Sequence, residues 1–311
     1  MTPLLEEILE IPDKAELCYE KNRNIKLPFN VSYLGMGASY NAAVTLSYCE
    51  NKILPCTSSE YHYYIAKGVS SLAVLISQSG ESSETLWNLE YFDHIIAITN
   101  HSESSLAKSH KTQTTIELHA GEEQSSSTKT YVNTLITLYL GLGVDPKKGI
   151  VQLRANFSSF QQEAMQHAQE ISDYSNSNQT KGLYILGSGP NSATANQGAL
   201  TMSEVTKLAW LGMPVAQYDH GPKETADNSV VIILNSSGRD RKRIEVLKQN
   251  LKKHSNALIV ELVETQLVEP LSPLTLIVQL NFLMNYLADY MQIKDTFHIG
   301  SKVTTVPDSV K

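Results

Sequence analysis

Short apolar runs alternate with amphipathic stretches along the whole chain. In the first half the runs fall at 31–36, 53–56, 72–77, 94–99 and 114–119, with helical patterns between them and a longer one at 127–142. In the second half runs at 182–186, 229–234 and 257–262 predict strands, and 151–172, 193–209, 239–253 and 271–290 predict helices. Continuous apolar runs, rather than strict alternation, mark strands buried on both faces. Strands that alternate with helices predict a parallel sheet. The stretch 143–149 carries Asp145, Pro146 and two lysines and reads as a boundary, and 176–180 as a polar loop.

Two segments look alike. Leu34-Gly35-Met36-Gly37 matches Leu186-Gly187-Ser188-Gly189, and each follows an apolar run and precedes a helical pattern. The offset, 187 − 35 = 152, is close to half of the 311 residues. The expected fold class is therefore α/β, two doubly wound parallel-sheet domains of flavodoxin-like type related by internal duplication, at 1–145 and 146–311.

The most informative stretch is Ser77-Gln78-Ser79-Gly80-Glu81-Ser82. A buried strand ends there in hydroxyls and a glycine, just before a helical pattern. Backbone N–H groups converge at such a place, and Ser77, Ser79 and Ser82 add neutral donors. The loop suits a phosphate monoester; an ordinary strand-to-helix turn with a serine cap is the alternative. Ser125-Ser126-Ser127-Thr128-Lys129, with Glu122 upstream, repeats the theme as a second wall of the same site or as a capped helix start.

Gln197, Thr201 and Glu204 are spaced to share one helix face. Taken alone they read as a solvated stripe. His220, before Gly221 and Pro222, sits in a turn, and histidine is a residue type suited to proton transfer. Taken alone it reads as an exposed loop histidine. Gly35-Met36-Gly37 begins like a dinucleotide fingerprint, but Tyr40 stands where the third glycine belongs, as Ser192 does in the second copy. No organic cofactor is expected, and no His/Cys/carboxylate cluster has metal-ligand spacing.

The net charge of −7, without basic runs, argues against nucleic acid and anionic membrane as partners. An anionic substrate then needs local donors. Three cysteines without a CxxC argue against a disulfide framework. The longest apolar stretch, 271–291, is interrupted by Gln279, Asn281, Asn285 and Asp289, so no membrane span is expected. No leader pattern is visible in the first ten residues, and a cytoplasmic location is expected.

Together these segments resemble the sugar isomerase (SIS) family. The likeness runs from about residue 30 to 305 and is greatest to the isomerase half of glucosamine-6-phosphate synthase and to stand-alone sugar-phosphate deaminases and fructosamine-6-phosphate deglycases. Ser77-Gln78-Ser79-Gly80-Glu81 resembles the family's phosphate loop, and Ser39 falls on the serine of its first loop. Glu122 with Ser127-Thr128-Lys129, Gly198-Ala199-Leu200 with Glu204, and His220-Gly221-Pro222 match further family segments in order. The resemblance implies that Ser77, Gln78, Ser79 and Ser82 bind a 6-phosphate, with Ser39, Glu122, Ser125 and Ser127 around the sugar. It implies that Glu204 moves a proton between C1 and C2, and that His220 opens the ring from the neighbouring subunit of a homodimer. It implies that Lys302 contacts the open-chain sugar.

The chain departs from the synthase pattern. Thr201 and Ser203 replace lysines, Gln197 a glutamate and Asp219 a lysine. Thr2 follows Met1, so neither an N-terminal cysteine nucleophile nor glutaminase activity is expected. The second half carries Asn235-Ser236-Ser237-Gly238, a weakened copy of the phosphate loop, so one functional site per subunit is expected. The expected activity is a deaminase or deglycase of an amino-sugar or fructosamine 6-phosphate. The alternatives are a plain phosphosugar isomerase and a non-catalytic sugar-phosphate-binding regulator.

Overall fold

A computed structural model describes residues 2–49, 52–293 and 299. The described residues divide into two compact units. One draws on Asp13–Glu123 and Lys129–Pro146, the other on Met1–Pro12, Gln124–Thr128 and Lys147–Phe297.

The first of these units holds α2 (Ile11–Asn22, its first two residues counted with the other unit), β1 (Ser32–Gly35), α3 (Gly37–Ser47), β2 (Leu54–Thr57), β3 (Ser70–Ile76), β4 (Phe92–Thr99), β5 (Thr112–Glu117) and α7 (Lys129–Gly141). The short helices α4 (Ser58–Glu60), α5 (Ser83–Trp87) and α6 (Ser105–Lys108) complete it, with a π-turn at Tyr61–Ile65. The five strands pair in parallel in the order β2-β1-β3-β4-β5. Ala73, Val74, Leu75 and Ile76 are fully buried at the centre, as a strand covered on both faces requires.

The other unit opens with α1 (Pro3–Leu9), capped by the Thr2 hydroxyl, which accepts from Leu5 N–H. It continues with α8 (Lys147–Ser177), β6 (Gly182–Gly187), α9 (Pro190–Thr206), β7 (Leu211–Pro214), α10 (Val215–Asp219), β8 (Ser229–Ser236), α11 (Arg241–His254), β9 (Leu258–Glu264) and α12 (Pro273–Tyr290). Its four strands are parallel, in the order β7-β6-β8-β9. All eight residues of β8 are buried. Each of its valines and isoleucines is worth roughly 1.5–3 kcal/mol of apolar burial.

The α/β class and the parallel sheets are as expected. Four differences stand out. β7 is absent from the sequence expectation, because Leu-Gly-Met-Pro has no β-branched residue and carries two strand breakers; an edge strand tolerates both. The boundary stretch 143–149 runs into α8, which starts at Lys147 and continues through part of the expected loop to Ser177. α9 stops at Thr206, with Lys207 left-handed, short of the expected 209. The fourth concerns membranes. The helical segment Glu269–Tyr290 is long and apolar enough to cross one by length and composition, and its most apolar stretch is 94% buried inside the protein. Its polar residues Gln279, Asn281 and Asn285 do not interrupt it, because they too are buried. α12 packs on α8 and α9, with the Phe282 and Phe157 rings edge to face at 5.0 Å.

Candidate active site

The first glycine motif closes β1 onto α3. A Cβ on Gly35 would lie 2.7 Å from the Ser39 Cβ and 3.0 Å from the Ile76 carbonyl oxygen, so no other residue fits. Gly187 holds the same place on β6, where a Cβ would lie 2.0 Å from the Asn191 carbonyl oxygen. Gly37 and Gly189 both have positive φ, 50° and 55°. The two motifs therefore serve one purpose: a sharp turn with a helix packed close on its strand. Ser39 lies buried in the first turn of α3.

The serine loop follows β3, beside β1. Its outer side is tied to the end of β4 and the segment after it. Ser77 N–H donates to Ile98 O at 3.0 Å, Asn100 N–H to Gln78 O at 2.9 Å, and Leu106 N–H to Gly80 O at 3.0 Å. The Glu81 carboxylate accepts from Ser105 N–H at 2.7 Å. The loop's inner geometry is set by its hydroxyls. Ser77 Oγ accepts from Gly80 N–H at 3.1 Å and donates to Ser82 Oγ at 3.2 Å, and Ser79 Oγ accepts from Glu81 N–H at 3.2 Å. Ser82 is the N-cap of α5, yet its side chain caps nothing. The backbone N–H groups of Ser79 and Ser82 make no hydrogen bond among the described residues. Clamped carbonyls beside unspent N–H groups at Ser79 and Ser82 make a cradle that can receive an anion at the carboxyl end of a parallel sheet. The structure thus brings Ser77, Ser79 and Ser82 together and leaves Gln78 half-buried beside them. Glu122 is exposed in the loop after β5.

Ser125 and Ser127 belong to the loop before α7, which begins at Lys129 rather than at Ser127. Lys129 is buried, 2% exposed. A residue missed in the sequence shapes this loop: the Glu7 carboxylate, 8% exposed on α1, accepts from Gln124 N–H at 2.6 Å and Ser125 N–H at 3.3 Å. The signal was present, since Glu7 sits on the buried stripe with Leu4 and Ile8, where an unpartnered acid would be costly.

Glu204 lies half-buried in the last turn of α9. Gln197 and Thr201 on the same stripe are buried, at 0% and 1% exposure, so the solvated-stripe reading fails for both. Thr201 spends its hydroxyl on its own helix, donating to Gln197 O at 3.1 Å. Ser125 and Val205, the residue after Glu204, line a cleft of about 670 Å³ together with Thr2, Asn285 and Asp289. Thr2 Oγ1 donates to Asn285 Oδ1 at 2.9 Å, and Asn285 Nδ2 is buried without a partner among the described residues. Burial raises the Asp289 carboxyl above the usual carboxylate range.

His220 caps the C-terminus of α10 and is exposed. Its neighbour Asp219 accepts from Lys223 at 2.9 Å and from Arg243 at 3.3 Å. The Lys223 hydrogen bond holds Asp219 below the usual carboxylate range. Lys302 lies outside the described residues. No group of three or more metal-ligating side chains occurs among the described residues.

The matching family model is the SIS domain, over residues 29–142, the stretch that carries the five-stranded sheet and its serine loop. Residues 29–142 are a SIS domain. The chain is 26% identical over 263 residues to the glutamine–fructose-6-phosphate aminotransferase (isomerizing) of Sulfurisphaera tokodaii, covering 79% of this chain and 42% of that protein. The chain thus spans less than half the length of that curated relative. Among solved structures, the C-terminal domain of glucosamine-fructose-6-phosphate aminotransferase from Francisella tularensis superposes with a TM-score of 0.77 at 20% identity, over 94% of this chain and 97% of that one. Glucosamine-6-phosphate deaminase from Thermotoga maritima gives 0.72 at 19% identity, over 94% and 96%. These two likenesses establish a common fold beyond the SIS segment itself.

Proposed function

We propose that the chain acts on a phosphorylated sugar bearing nitrogen at C1 or C2, as a deaminase or deglycase of aldose–ketose isomerase type. The observation that carries this reading is the cradle: Ser77 and Ser82 linked at 3.2 Å, with unspent N–H groups at Ser79 and Ser82. A phosphate held there is remote from C1 and C2, and its binding energy serves to position the reacting carbons. Glu204 is the proton carrier. It takes a proton from C1 or C2 and returns it to the neighbouring carbon through an enediol or enaminol, each such step being worth roughly 10²–10⁴ in rate. His220 protonates the ring oxygen, contributed from the neighbouring subunit of a homodimer, and its exposure agrees with that role. Water then releases the amine. Gln78 joins Ser77, Ser79 and Ser82 at the phosphate, Ser39, Glu122, Ser125 and Ser127 contact the sugar, and Lys302 its open-chain carbonyl end.

The unit with the four-stranded sheet is, in this reading, a second SIS-type domain produced by duplication, with functional halves at 1–145 and 146–311. The shared order β2-β1-β3-β4 and β7-β6-β8-β9, and the matched glycine turns, support it. A turnover screen of the purified chain against fructose 6-phosphate, glucosamine 6-phosphate and fructosamine 6-phosphates tests the activity by following ammonia, free amino acid and isomerised sugar. Release of an amine is the expected result. Isomerisation alone would favour a plain isomerase, and binding without turnover would favour a sugar-phosphate-binding regulator.

A further inference from the structure

The second sheet has its own version of the serine loop, and strand register identifies it. In the first sheet Leu34, just before Gly35, pairs with Leu75, and 80 − 75 = 5 residues on stands Gly80. In the second, Leu186, just before Gly187, pairs with Ile233, and 238 − 233 = 5 residues on stands Gly238. Asn235, Ser236 and Ser237 therefore hold the places of Ser77, Gln78 and Ser79. This loop leads into α11, fourteen residues long, at the point where the connections from β6 and β8 diverge. Ligands of open parallel sheets bind there.

What backs the glycine differs. A Cβ on Gly80 would meet Ser104, a short side chain from the segment after β4. A Cβ on Gly238 would meet Glu269, from the segment after β9, with Oε1 only 2.0 Å away. The same Oε1 lies 3.4 Å from the Cβ position of Gly189, on the turn after the neighbouring strand β6. The carboxylate therefore spans the two turns at the carboxyl ends of β6 and β8. Its backbone is fixed there: Ser272 N–H and Oγ donate to Glu269 O at 3.2 and 2.7 Å, and fully buried Asn191 Nδ2 donates to Ser272 Oγ at 2.8 Å. Ser237 is also turned away from the loop, its hydroxyl donating to Leu267 O at 2.6 Å.

We propose that the Glu269 side chain occupies the second sheet's cradle and keeps phosphate out of it by its bulk, so that this side chain limits the chain to a single phosphate-binding cradle. The cradle is latent rather than dismantled. The register, the glycine and the helix start are all kept; Glu269 stands where the first sheet has Ser104, and Asp240 where it has Ser82. The side chain makes no hydrogen bond among the described residues, so shortening it breaks none.

The test is titration of the whole chain with inorganic phosphate, by calorimetry and by 31P line broadening. Glu269→Ser puts a serine behind Gly238, as Ser104 stands behind Gly80, and leaves Asp240 in the place of Ser82; Glu269→Ala is a second truncation should the serine variant fold poorly. Either is expected to bind one phosphate more per chain than the unsubstituted protein does. Glu269→Gln keeps the bulk and is expected to add none. The difference between variant and parent is the readout. A parent that binds none would count against the serine loop after β3 and leave this comparison intact. A folded Ser or Ala variant with no added equivalent, or a Gln variant that gains as much as they do, would overturn the proposal.

Discussion

Ser77 is the residue on which the cradle turns, because its hydroxyl both accepts from Gly80 N–H and donates to Ser82. Ser77→Ala is expected to weaken phosphosugar binding by about 10–100-fold, the loss of one hydrogen bond to a charged group at roughly 1.5–3 kcal/mol. Binding of the same sugar without its phosphate should change little, and calorimetry with the two sugars separates these effects. Glu7 acts through the backbone it holds. Glu7→Ala leaves the Gln124 and Ser125 amides without their acceptor, which costs about 1–3 kcal/mol in chemical denaturation, whereas Glu7→Gln keeps an oxygen and costs less. Asp219 shows how a departure from a family pattern is absorbed, since its carboxylate is paired with Lys223 and Arg243 beside the turn that carries His220. With its folded pKa depressed, Asp219 contributes stability above the ordinary carboxylate pKa and loses it as the pH falls through the folded value. Asp219→Asn should therefore lower Tm slightly at pH 7, and the gap should close on titration towards pH 3. A gap that widened in acid would contradict the pairing. The effect is small because exposed ion pairs are worth about 0–1 kcal/mol.

At the scale of elements, the sequence was legible wherever burial on both faces produced an unbroken apolar run. β3, β4, β6 and β8 lie where those runs predict, within a residue or two. β7 was not legible because an edge strand of four residues pairs on one side only and needs no apolar run. α12 misled in the opposite direction. Its polar residues look like interruptions in one dimension, yet in the fold Gln279, Asn281 and Asn285 are interior positions. The serine loop was legible because it joins a strand end to a helix start in sequence. The contribution of Glu7 to the Ser125 loop was not, since 125 − 7 = 118 residues separate donor and acceptor. Glu269 was hidden for a related reason: it reaches Gly189 and Gly238 from a segment that follows a different strand.

At the scale of the whole molecule, the net charge of −7 gives an anionic substrate no general attraction, so in the proposed function affinity rests on a preorganised local cradle. The two units carry different parts of the proposed chemistry. The serine loop lies in the unit built on the five-stranded sheet, and Glu204 and His220 lie in the other. A sequence may keep either part without the other, so a phosphate cradle by itself is compatible with a binding protein, and proton transfer distinguishes the enzyme. The most direct measurement is deuterium incorporation from D2O at C1 and C2 of a bound sugar 6-phosphate, followed by NMR for the parent chain and for Glu204→Gln. Incorporation by the parent, with a loss of at least about 10²-fold in a Glu204→Gln variant that still binds the sugar, is the predicted result. Equal incorporation by both, or none by a parent that binds the sugar, would contradict the account.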